Sequence, residues 1–315
     1  MLTLSQFNSL FERVGVVVLD GGLATELERQ GHDLNHELWS ARLLLTDPGA
    51  IRNAHKTYLE AGAMCITTAS YQASIPGLVA AGIPEAQARK LLRDSVSIAQ
   101  GAVADFIGRP CGQGEIDRPI VAASIGPYGA FLADGSEYRG HYGISLDELR
   151  NFHAERLDVI CQAQTDLLAC ETIPSAQEAE VLRDLLVEST DAMAWVSFSC
   201  VDGEHICDGT PIKECAALFE NCQQVFAIGV NCTAPRYVRS LIEKIRAAAP
   251  TKRVVVYPNS GQVYNAQGRT WTGLSTAADF GELAKEWLDA GATLIGGCCQ
   301  TGPAHIRAIR EALHG

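Results

Sequence analysis

Short apolar runs alternate with longer helical stretches along almost the whole chain, and the alternation recurs eight times. The runs cover 16–20, 63–68, 119–124, 166–171, 193–199, 226–231, 253–258 and 292–297. Several are unbroken stretches of Val, Ile, Ala and Leu, the pattern of strands buried on both faces of a parallel sheet. Helical periodicity is clearest between them, at 48–61, 84–106, 146–164, 175–189, 212–221, 235–249 and 277–290. Ser145 with Glu148 forms a capping box ahead of one helix, and Thr276 precedes another whose first turn carries Asp279. Eight strand–helix units in 315 residues predict an α/β fold, a single (β/α)8 TIM-type barrel. An open doubly wound sheet is the rival, but no glycine-rich dinucleotide fingerprint follows the first run. No Pro-, Gly- or Ser-rich linker or fixed-period repeat interrupts the chain, so residues 1–315 are expected to form one domain.

Composition narrows the partners. With 37 acidic against 25 basic residues the net charge is -12, which disfavours nucleic acid, whose phosphates call for a Lys/Arg surplus. No apolar run approaches the roughly 20 residues of a membrane helix. The N-terminal MLTLSQFNSLFERVG lacks the basic and apolar regions of a signal peptide. The expected setting is the cytoplasm, and the expected assembly a monomer or small homo-oligomer. In a reducing compartment most of the 11 cysteines should be free thiols packed as small hydrophobes.

A barrel places its chemistry at the C-terminal ends of its strands. The long Gly- and Tyr-rich segments obey this, since 126–143, 201–211 and 260–273 all follow apolar runs, whereas the connections that precede runs are short. Cys232 follows the sixth run in IGVNC, and Cys298 and Cys299 follow the eighth in IGGCC. All three therefore fall on one rim. Three thiolates suit Zn²⁺ and leave one coordination position open, as in catalytic sites. Gly296 and Gly297 are expected to let the backbone bend enough for adjacent cysteines to reach one ion. Three buried apolar cysteines, or a redox disulfide between Cys298 and Cys299, are the competing readings.

The segments LDGGLATELERQG (19–31), ITTASYQAS (66–74), SIGPYGAFLADGSEYRG (124–140), ACETIPS (169–175), GVNCTAP (229–235), VVYPNSG (255–261) and IGGCCQTGPAHI (295–306) together resemble the homocysteine S-methyltransferase family, nearly end to end and in order. They look closest to members that use S-methylmethionine as methyl donor. The resemblance implies a barrel, bound zinc, Cys232, Cys298 and Cys299 as its ligands, and transfer of a methyl group from a sulfonium donor to L-homocysteine to form methionine. S-adenosylmethionine and betaine are the alternative donors. Zinc chemistry agrees, because a free thiol is mostly protonated at neutral pH and metal coordination removes the proton.

Asp20 and Glu171 end the first and fourth runs, where carboxylates suit a substrate ammonium or a sulfonium. The resemblance implies amine binding, and a turn or cap role is the alternative for Asp20. Ser124 begins a Ser-Ile-Gly-Pro turn that offers backbone N–H groups to a substrate carboxylate or simply ends a strand. Asn231 precedes a ligand and is a candidate to orient the site, and Thr68 holds a comparable strand-end place. Tyr71, Tyr128 and Trp39 are candidates for an aromatic wall around a cation. His305 is expected to pack or cap the last helix.

Overall fold

The computed structural model describes residues 1–34, 42–110, 117–189, 191–261, 263–265, 270–272 and 276–315, with backbone alone for 263–265 and 270–272. Eight parallel strands form the sheet: β1 Val17–Val18, β2 Cys65–Thr67, β3 Ile120–Ile125, β4 Leu167–Ile173, β5 Ala194–Phe198, β6 Val225–Asn231, β7 Arg253–Tyr257 and, after an antiparallel hairpin of β8 Val263–Asn265 and β9 Thr270–Thr272, β10 Ala292–Ile295. The order β1-β10-β7-β6-β5-β4-β3-β2 is closed by a parallel bridge from Leu19 to Cys65 and by the Asp20 N–H donating to the Cys65 carbonyl at 3.0 Å. The expected (β/α)8 barrel is what the chain forms. The eight runs coincide with the eight strands, and the seven periodic stretches with helices such as Pro48–Glu60, Glu85–Ile107 and Ala277–Ala290.

Strand parity separates two apolar layers. Val121, Leu168, Cys170, Val196 and Ile228 face outward and pack beneath the helices. Val17, Leu19, Ile120, Ala122, Leu167, Ala169, Trp195, Ala227 and Val255 share the second cluster, the barrel interior. The same parity continued towards the strand C-termini reaches Thr67, Ser124, Glu171, Ser197, Asn231 and Tyr257, so the interior becomes polar at that end. The other end is stoppered. Helix Leu4–Val14, capped by Thr3 with Gln6, sends Phe7, Leu10 and Phe11 into the interior cluster. Phe7 stacks on Phe226 at 4.6 Å between centroids, and the Arg253 guanidinium lies 3.8 Å over the Phe11 ring. At the same end Arg118 grips Asp166 through two bonds of 2.8 and 2.9 Å, both residues buried. Among the described residues no helix is long and apolar enough to cross a membrane.

Candidate functional site

A cleft opens at the polar rim. Cys232, Cys298 and Cys299 form one wall, and their sulfurs all lie within 4.8 Å of one another. Cys232 and Cys299 are 3.7 Å apart, Sγ to Sγ. The Cys232 and Cys298 sulfurs are in disulfide contact, with Cα atoms 5.6 Å apart. The partner of Cys298 is therefore Cys232, and the vicinal pairing with Cys299 is not the one the fold brings together. Sulfurs around a tetrahedral zinc with bonds of about 2.3 Å stand about 3.8 Å apart. The Cys232–Cys299 spacing already meets that requirement, and parting the Cys232–Cys298 contact would complete a three-sulfur set, so the residues fit the metal.

Each cysteine is aimed by its backbone. Cys232 has φ +46°, a left-handed conformation rare for a side chain of its size. The Cys298 N–H donates to the Pro258 carbonyl at 2.8 Å, and its own carbonyl accepts from the Thr301 hydroxyl at 2.6 Å. Neither Gly296 nor Gly297 takes a positive φ; the left-handed residue of this segment is Gln300, at φ +61°. Gly297 is required for space instead, because a Cβ there would sit 2.3 Å from the Thr301 hydroxyl.

Carboxylates line the same cleft. Asp20 is 4% exposed and accepts from the Thr67 N–H at 2.8 Å and from its hydroxyl at 3.2 Å. It does not cap the following helix, whose N-cap is Gly22. Burial pushes the Asp20 carboxyl up to about 8, and the nearby Glu171 charge adds to the rise despite the Thr67 bonds. Glu171 takes a hydrogen bond from the Ser124 hydroxyl and is likewise raised by burial, against the pull of Ser124, Tyr257 and Arg156. Glu137 is a third acid on the lining, carried by the 3₁₀ turn Ser136–Tyr138. Among the described residues the lining holds no Lys, Arg or His. Burial raises such acids, and a ligand that supplies positive charge to the cleft favours their ionised forms.

The remaining candidates support these groups. Thr68 lines the cleft, and its hydroxyl accepts from the Ser124 N–H at 3.0 Å. That bond commits one of the N–H groups of the Ser-Ile-Gly-Pro turn, and the Ser124 hydroxyl is directed at Glu171. Asn231 accepts from the Thr172 N–H at 2.7 Å and the Ser197 hydroxyl at 2.8 Å, and points its amide at the Cys298 sulfur at 4.0 Å. Tyr71 lines the cleft; Tyr128 instead packs edge-on to Phe152 and Phe131; Trp39 lies outside the described residues. His305 accepts from the Gly302 N–H at 3.2 Å and packs on Phe280, the expected cap. Sequence reasoning passed over Thr67, Tyr257, Glu137, Tyr138 and Thr172. Strand parity marks the first two; Glu137 and Tyr138 carried no signal beyond their place in a long post-strand loop.

Fold and site together define a barrel enzyme whose rim sets a soft-metal sulfur trio against buried acids. The family model described as Homocysteine S-methyltransferase matches residues 17–313. The homocysteine S-methyltransferase YbgG of Bacillus subtilis is 48% identical over 93% of each chain, and the selenocysteine Se-methyltransferase of Brassica oleracea is 46% identical over 96% of this chain and 90% of its own. Crystal structures of the homocysteine methyltransferase MmuM of Escherichia coli, in metallated and oxidized forms, superpose with TM-scores of 0.85 and 0.86 at 40% identity, covering 97% of this chain and 99% of theirs. The chain belongs to the homocysteine S-methyltransferase family and is a methyltransferase that acts on homocysteine with a methyl donor.

Proposed function

We propose that this enzyme transfers a methyl group from a sulfonium donor, S-methylmethionine above all, to the sulfur of L-homocysteine, and that Cys232, Cys298 and Cys299 hold a zinc ion for that purpose. The observation that carries the reading is the sulfur trio on the rim of a cleft that also holds unneutralised buried acids. Zinc held by three thiolates would bind a fourth thiol and remove its proton, keeping it nucleophilic at neutral pH.

The chain's own residues do the rest. Asp20 and Glu171 receive the homocysteine ammonium, with Thr67 and Ser124 fixing the orientation of each carboxylate. Anchored at its amine, homocysteine presents its sulfur to the three cysteines of the same cleft. That sulfur attacks the donor methyl carbon; the new C–S bond forms as the donor C–S bond breaks, and the electron pair stays on the departing neutral thioether. No side-chain base is needed for the transfer itself. We further propose that residues 1–315 act as one homocysteine-binding domain and that the enzyme works in the cytoplasm. The eight free cysteines among the described residues support a reducing setting.

Reduced protein should form methionine from homocysteine with S-methylmethionine faster than with S-adenosylmethionine or betaine, and a zinc chelator should abolish turnover. Cys298→Ala should lose bound zinc on metal analysis and lose more activity than the 10–100-fold typical of outer-shell changes around a metal. No methionine from any donor with zinc-loaded, reduced protein would overturn the reading. Full activity in metal-free protein would remove the zinc from it.

A further inference from the structure

Two acids on the barrel wall suffice for one ammonium, yet the cleft holds a third, Glu137. Its Oε2 is buried and has no hydrogen-bond partner. Arg139, two residues on, directs its guanidinium to Asp134 and to the Ser136 hydroxyl at 3.0 Å. The turn that carries Glu137 is tied to the strand ends, because the Ser199 hydroxyl donates to the Glu137 main-chain carbonyl at 3.1 Å. Its neighbour Tyr138 lines the same cleft beside Cys299. Asp20 and Glu171 stand at strand ends, whereas Glu137 is carried by the 3₁₀ turn of the loop after β3.

We propose that Glu137 recognises the positive charge of the methyl donor and selects a sulfonium over the neutral thioether it becomes. The proposal rests on the function argued above. In a displacement the leaving group lies opposite the attacking sulfur, so the donor cation extends away from the cysteine wall into the space that Glu137 borders. The sulfonium charge is present in the bound donor, partly lost in the transition state and gone in the product. A carboxylate facing it therefore strengthens donor binding more than it lowers the barrier, and it loosens its hold once transfer has occurred.

The test measures binding of S-methylmethionine and of methionine to the zinc-loaded protein by calorimetry, beside steady-state kinetics. Glu137→Gln should weaken S-methylmethionine binding and raise its KM roughly tenfold, the order of one half-buried charge pair. Methionine affinity, homocysteine KM and kcat should stay within about twofold, and Glu137→Asp should recover part of the loss. Equal weakening of methionine and S-methylmethionine, a rise in homocysteine KM alone, or no change would each overturn the assignment. Retained methionine binding shows that the variant is folded. If the native enzyme made no methionine, the function would fail, and the binding preference for sulfonium over thioether would still decide the role of Glu137.

Discussion

Asp20 shows how one residue couples the site to stability. Its carboxyl ordinarily titrates near 3.8 and is carried to about 8 in the folded chain, chiefly by burial. The folded state thus binds a proton that the unfolded state has released across that interval. The stability tied to the protonated form is complete below the unfolded value and is lost as pH rises through the folded one. Substrate-free enzyme should therefore show a melting temperature that falls between about pH 4 and 8 more steeply than Asp20→Asn does. Thermal unfolding of both proteins across that range is the check, and equal slopes would refute it. The neighbouring acid differs in legibility. Glu171 and Asp20 could be read as site residues because each ends a strand, whereas Glu137 sits on a 3₁₀ turn where no periodicity points anywhere.

At the scale of the element, β4 departs from regular geometry where the cleft needs it. Between Cys170 and Ile173 it gains one residue against β5, and Thr172 in the bulge takes φ +59°, an outlier for a β-branched side chain. The extra residue lets Glu171 and Thr172 both line the cleft, which strict alternation would forbid. Asn231 on β6 holds the bulge by accepting from the Thr172 N–H and donating to its hydroxyl, both at 2.7 Å. Asn231→Ala takes that partner from the buried Thr172 N–H and hydroxyl, while the Ser197 hydroxyl keeps its bond to the Tyr257 hydroxyl, and should cost about 1–3 kcal/mol for an unsatisfied group of this kind. Denaturant unfolding measures that loss, and homocysteine KM should rise with it as Glu171 drifts. The strand and Asn231 were legible in the sequence. The bulge was not, because it arises from pairing with β5 and from the Asn231 side chain of β6, not from any local preference.

For the whole molecule, the barrel has one end for chemistry and one for closure. Helix Leu4–Val14 plugs the second end through Phe7, which is 1% exposed. Phe7→Ala should destabilise the fold by about 3–5 kcal/mol, with the folded fraction retaining its homocysteine KM, since the cavity opens far from the rim. Calorimetric unfolding beside kinetics separates the two effects. The helix had a readable apolar stripe at Phe7, Leu10, Phe11 and Val14, but its role as a stopper depends on a barrel already closed behind it.

The chain by itself determined the number of strands, their burial on both faces and the placement of Cys232, Cys298 and Cys299 on a common rim, because strand period and chain order are local properties. The tertiary structure alone decided which sulfurs touch, that the Ser124 N–H is taken by Thr68, and that a loop turn brings Glu137 to the cleft. Those facts depend on distances between segments far apart in sequence, and only the closure of the barrel sets them.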